Sequence, residues 1–290
     1  MAGLRFGYFP EPHAEELPHL IRRVRWADAN GLDVVGIQDH PYQRRYVDTF
    51  ALLSHLAGAT QRVTLFPDVA SLPLRGPVQL AKQAATIDLL SGGRFELGIG
   101  AGGFWDAIAA MGAPRRSPGE ALQALREAIE VVRALWSQQR GLRTDGQYYR
   151  LSGVHGGPAP AHGIGIWVGG SGPRMLRLIG ELADGWVPSM AYLPPAVLAE
   201  KGAALDEAAV AAGRDPRSIR RIYNVSGAIQ DAADGDERAI IGPPQLWVDT
   251  LLRLAEDLHV DTFVLWPRGD IDAQLARFTL EVAPAVRAAS

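Results

Sequence analysis

Cysteine is absent from all 290 residues, which excludes disulfides, thiolate metal sites and a thiol nucleophile. Charge of one sign is also scarce. The formal net charge is −3 and no run of Lys and Arg exceeds two residues, so neither nucleic acid nor an anionic membrane surface is an expected partner. No apolar stretch is long enough to span a bilayer, and "MAGLRFGYFPEPHAEEL" lacks the apolar core of a signal peptide. A cytoplasmic protein is the expectation. Seven histidines occur without H-x-H or H-E-x-x-H spacing, so no metal is expected. A G-x-S-x-G nucleophile elbow is missing as well. What is present is 47% hydrophobic and 21% charged residues, the balance of an ordinary soluble globular protein.

Short β-rich runs alternate with longer helical patterns. Eight strands are expected at "LRFGYF", "LDVVGIQ", "RVTLFPDVA", "RFELGIGAG", "GIGIWVGG", "GWVPS", "IRRIYNVSGAI" and "DTFVLWP". Helical patterns follow each, with Gly31 and Gly92 as stops and Asp48 as an N-cap. Eight strand–helix units over this length predict a (β/α)₈ TIM barrel, an α/β fold, in a single domain spanning residues 1–290. One connection, between strands four and five, is too long. The insertion at about 106–163 holds an extra helix and a hairpin-like stretch, and insertions of that size usually build or cover a site.

In such a barrel the chemistry sits at the C-terminal ends of the strands. Those ends are Phe9, Gln38-Asp39-His40, Asp68-Val69, Gly100–Gly103, Gly169–Arg174, Ser189, Ser226 and Trp266. "QDHP" therefore puts an acid and a histidine at the reactive face, held by Pro41, which restricts the backbone of His40. "GIGAGG" (98–103) matches G-x-G-x-x-G, but a dinucleotide fingerprint belongs in the first strand–helix turn. Here it is the fourth, so Gly100, Ala101 and Gly102 are expected to let a flat ring or substrate approach the backbone. "WVGGSGPRMLRL" (167–178) opens a helix at Pro173, with Ser171 suited to its cap. Gly169, Gly170, Ser171, Gly172 and Arg174 together suit a phosphate. A merely capped helix is the other reading.

"QDHP", "LPLRGPVQLAKQAATIDLLSGGRFELGIGAG" and "WVGGSGPRMLRLIGELADGW" together resemble the bacterial luciferase-like oxidoreductase superfamily, and the resemblance covers nearly the whole chain. It implies a TIM barrel that binds FMN or the deazaflavin coenzyme F-420 (F420) at the strand ends. Asp39-His40 is similar to the pair in deazaflavin-using members, where many FMN-using members carry Glu-His. The resemblance also implies a non-proline cis peptide after strand three, at Asp68–Val69 or else at Val69–Ala70, backing the ring. Some deazaflavin dehydrogenases of the family place a glutamate just after the fourth-strand glycines. Gly103 stands there instead, with Asp106 the nearest acid, which speaks against a sugar-phosphate dehydrogenase.

The expected activity is hydride transfer between F420 and a small organic substrate. The alternatives are an FMN-dependent monooxygenase fed by a flavin reductase, and a flavin-binding protein without catalysis. His40 is the expected proton carrier and Asp39 its orienting partner or a ligand of the ring. Asp68 and Val69 join the cofactor contacts, while Phe9, Tyr42, Trp105 and Trp266 are expected to wall the substrate pocket. The resemblance suggests a homodimer.

Overall fold

Val34, Val35, Gly36 and Ile37 are all buried, the unbroken burial of a parallel strand covered on both faces. The same holds for Leu97–Gly100. In a computed structural model describing residues 3–290, the strands are β1 Arg5–Tyr8, β2 Val34–Ile37, β3 Thr64–Pro67, β4 Ala70–Ser71, β5 Leu97–Gly100, β6 Leu142–Asp145, β7 Arg150–Val154, β8 Ile166–Gly169, β9 Gly185–Trp186, β10 Arg220–Ile229, β11 Ile240–Gly242 and β12 Thr262–Pro267.

Parallel pairing runs β3-β2-β1-β12-β10-β9-β8-β5-β4. β3 and β4 are two halves of one strand, so the two ends of that path meet and the sheet closes as an eight-staved TIM barrel. Leu65 of β3 also bridges Phe95 just before β5. Each expected strand has its counterpart. β11, which extends the sheet beside the far end of β10, was not expected.

Alternation along the strands sorts two cores. Val34, Phe66, Trp167, Ile222 and Val264 pack inside the barrel, with Phe66 edge-on to Trp167 at 4.9 Å. Val35, Ile37, Leu65 and Leu97 face the surrounding helices. Helix ends carry the expected signals. Asp48 caps the helix Thr49–Ala59 by accepting from Ala51 N, and Gly92 ends Pro77–Ser91 at φ 69°, a left-handed angle that favours glycine.

The long connection contains helices Trp105–Ala110 and Pro118–Trp136, then the antiparallel β6–β7 hairpin. Glu127 on the second helix accepts N–H groups of Gln147, Tyr148 and Tyr149. That ties the hairpin to the helix's outer side. The insertion was expected to build or cover a site. Its two helices reach the cavity at the strand ends, through Trp105, Ile108, Pro118 and Ala121, and the hairpin does not.

Candidate active site

β2 stops at Ile37, and two bonds fix the chain as it leaves the strand. Thr49 Oγ1 donates to Gln38 O at 2.7 Å, and Asp68 N donates to Ile37 O at 2.8 Å. Beyond them the two side chains of the acid–histidine pair part. Asp39 turns into the protein and accepts from Ser71 N at 2.9 Å and from Arg75 Nε and Nη2 at 2.7 and 2.6 Å. Arg75 also reaches Asp48 at 2.7 Å and lies 4.6 Å over the Phe50 ring. Asp39 thus makes no hydrogen bond to His40, and both its oxygens already have partners, although the residue also lines the cavity. Its carboxylate holds the short helix Leu72–Arg75 against the end of β2.

His40 faces outward into a cavity of about 360 Å³. Its ring stacks on Tyr42 at 5.3 Å and meets Phe104 edge-on at 5.6 Å. Burial pushes its pKa below the ordinary 6.5, and the charge of Asp39 opposes that. The imidazole is therefore neutral at pH 7 and able to accept a proton. Burial also pushes the Tyr42 hydroxyl up to about 12, so it stays a donor.

A second cavity of about 400 Å³ adjoins the first and shares Ala101, Gly102, Gly103, Gly170 and Met175 with it. Ser171, Gly172 and Arg174 line its far end. Trp186 Nε1 donates to Gly170 O at 2.8 Å, which fixes this loop from behind, and Gly170 adopts φ 133°. The N-cap of helix Pro173–Leu182 is Gly172, with no side chain capping it. The expectation that Ser171 caps the helix is corrected: the first-turn N–H groups are left open, as an anion site requires. A Cβ on Gly119 would stand 3.6 Å from both terminal nitrogens of Arg174.

The glycines do something more specific than admit a ring. A Cβ on Gly100 would lie 2.8 Å, and one on Gly169 3.0 Å, from Val69 Cγ2. The two glycines seat the Val69 side chain on the cavity floor. The Asp68–Val69 peptide is cis, at the bond the resemblance put first. Gly103 and Gly172 have open space where a Cβ would be. His40 thus lines one of two adjoining cavities and Arg174 the other.

Residues 4–261 match the family model described as luciferase-like monooxygenase. The chain belongs to this family. It is 34% identical over 186 residues to 5,10-methylenetetrahydromethanopterin reductase of Archaeoglobus fulgidus, covering 63% of this chain and 52% of that protein. It is 30% identical over 241 residues to F420-dependent glucose-6-phosphate dehydrogenase of Nocardia farcinica, covering 80% and 70%. The chain thus spans about half the length of the first relative. Among solved structures, an F420-dependent secondary alcohol dehydrogenase in complex with an F420-acetone adduct superposes with a TM-score of 0.86 at 19% identity, covering 98% of this chain and 99% of that one. A type II Baeyer-Villiger monooxygenase component from Pseudomonas putida, in complex with FMN, gives 0.79 at 19%, with 98% of each covered. At that identity the likeness is one of fold.

Within this luciferase-like barrel the four aromatics expected around the substrate are dispersed. Tyr42 lines the His40 cavity and Trp105 the Arg174 cavity. Phe9 and Trp266 line neither; they pack on each other at 5.2 Å over the inner core. Phe104 and Tyr192, at the His40 cavity and 55% and 71% exposed, form the aromatic rim instead. Loop position alone did not reveal them. Asp106 pairs with Arg115 on the surface. Asn224 was missed as well, although it stands two residues after inward-facing Ile222 in an apolar strand.

Proposed function

We propose that this luciferase-like protein is an oxidoreductase that transfers a hydride between F420 and a small organic substrate. The observation that carries this reading is a pair of adjoining cavities with shared walls, one holding His40 and the other the open helix N-terminus with Arg174. The F420-dependent name of a relative covering 80% of the chain supports the choice of cofactor. When bound, the deazaflavin supplies the hydride-accepting or hydride-donating ring atom.

The chain's own residues do the rest. The N–H groups of Gly170, Ser171 and Gly172, that of Arg174, and the Arg174 guanidinium hold the phosphate end. Val69, seated between Gly100 and Gly169, supports the ring from below. Phe104 and Tyr192 shield the open side from water. His40, neutral at pH 7, accepts the proton of a substrate hydroxyl as the hydride leaves, or returns it in the reverse direction. Asp39 acts at one remove, by fixing Arg75 and Ser71. The Arg174 end also suits FMN, and a monooxygenase of that kind would need a reductase partner. A cytoplasmic location and a homodimer belong to the same proposal, and the family resemblance supports the dimer.

General acid–base assistance typically contributes about 10² to 10⁴ in rate. His40→Ala is expected to lower kcat by that factor while F420 affinity changes less than about tenfold. In the wild type the acid limb of the rate profile should fall below pH 6.5, because burial lowers the His40 pKa. Loss of binding with normal turnover of the bound fraction would make His40 a packing residue only.

A further inference from the structure

Barrel interiors of this kind are filled by bulky apolar side chains in layers. Here the lower inward layer obeys that rule and the layer beneath the mouth does not. Two residues beyond Phe66 comes Asp68, and two beyond Ile222 comes Asn224. Gln38 similarly follows Gly36, whose Cβ position faces Phe66 and Asp68. All three are buried, and Asp68 Oδ2, Asn224 Oδ1 and Gln38 Nε2 each lack a hydrogen-bond partner among the described residues. Asn224 Nδ2 is occupied by Ser189 Oγ at 3.1 Å.

An unpartnered polar atom in a buried position is expensive, and native folds rarely keep one without a use. Of the three, Asp68 is the one at the cavity, where a ligand could supply the missing partner. The backbone has made room for its carboxyl, since a Cβ on Gly36 would stand 2.9 Å from Oδ2. Among the described residues no cation faces it: β2 offers Gly36, β3 offers Phe66 and β10 offers Asn224. Burial raises its pKa to about 7, and hydrogen bonding from the Asn224 side chain opposes that, leaving Oδ2 as the oxygen without a partner.

We propose that Asp68, as a neutral carboxylic acid, donates a hydrogen bond from the cavity floor to a carbonyl oxygen or ring nitrogen of the bound flavin-type ring. The inference rests on the reading of the cleft as a cofactor site. The floor, not the rim, receives the ring, because the ring must lie between the Arg174 loop and His40, while the substrate enters last past Phe104 and Tyr192. An ionised Asp68 would present only acceptors and would repel an acceptor edge.

The test compares wild type, Asp68→Asn and Asp68→Ala in titrations with F420 and with FMN from pH 5.5 to 8.5. Asparagine keeps the size and a neutral donor. At pH 6 it should bind within about threefold of wild type, whereas alanine should bind at least about tenfold more weakly. The ratio of wild-type to Asp68→Asn affinity should then fall about tenfold or more as pH rises through 7. Taking the ratio removes the titration of the ligand and of the other ionisable residues on the cavity, Asp39, His40, Tyr42 and Tyr192. Should Asp68→Ala fail to fold, the ratio decides alone. A flat ratio, or equal weakening by both substitutions, overturns the inference and leaves the cofactor reading standing. Failure of the wild type to bind either cofactor overturns both.

Discussion

Two buried aspartates sit at opposite ends of the barrel in opposite surroundings. Asp88, at the N-terminal face, is 0% exposed and has every lone-pair direction in use. It accepts from Phe95 N at 3.3 Å, Ala161 N at 2.7 Å and His162 N at 3.1 Å, and shares a bond with His162 Nδ1 at 2.8 Å. Asp68, at the mouth, is buried too but keeps an oxygen without a partner. The two arginines near the mouth repeat the contrast. Arg75 is bound by Asp39 and Asp48, whereas Arg174 has no ion pair among the described residues and lines the cleft. Burial alone does not separate scaffold from site. What separates Asp88 from Asp68, and Arg75 from Arg174, is whether the polar group is already satisfied.

Breaking the satisfied member should cost most in stability. Asp88→Ala leaves three backbone N–H groups and an imidazole without their acceptor. At about 1–3 kcal/mol for each buried orphan, partly relieved by water, a loss of about 3–5 kcal/mol is expected in denaturant unfolding. A loss under about 1 kcal/mol would mean that Asp88 does not hold the loop before β8.

Asp68 should show the opposite behaviour. Its folded pKa of about 7 lies above the ordinary 3.8, so the folded state binds the extra proton between those values. Stability is then greatest below pH 4 in this group's contribution and is lost as pH rises towards 7. Asp68→Asn removes that loss, making the variant up to about 4 kcal/mol more stable than wild type at pH 8. Unfolding curves at pH 5 and 8 for both proteins check it; parallel behaviour would mean that Asp68 is ionised in the fold.

The arginine pair gives the smallest effect. Arg174→Ala should leave stability unchanged and weaken binding of a phosphorylated cofactor by about 1.5–3 kcal/mol, the range of a hydrogen bond to a charged group. Riboflavin, which lacks the phosphate, should bind both proteins alike. Equal weakening for FMN and riboflavin would move the phosphate elsewhere.

Much of this was legible in the sequence because it is written in local signals. Eight apolar runs separated by capped helices set the barrel, and the glycine–proline junction at Gly169–Pro173 marked a helix start suited to a phosphate, although its N-cap is Gly172 rather than the expected Ser171. "QDHP" marked a strand exit. The division of labour inside that motif was not legible. Whether Asp39 turns towards His40 or towards Arg75 depends on a helix 36 residues away in sequence. The same limit applies to Phe9 and Trp266, which stand at strand ends yet pack inward on each other. Asn224 and Asp68 become a pair only once the strands are in register.

The most direct test of the cleft's assignment is titration of the purified protein with F420 and with FMN, followed by fluorescence. Saturable one-to-one binding of F420, tighter than that of FMN and weakened by Arg174→Ala, is the predicted result. Absence of saturable binding of either cofactor would contradict the assignment of the His40–Arg174 cleft as a deazaflavin site.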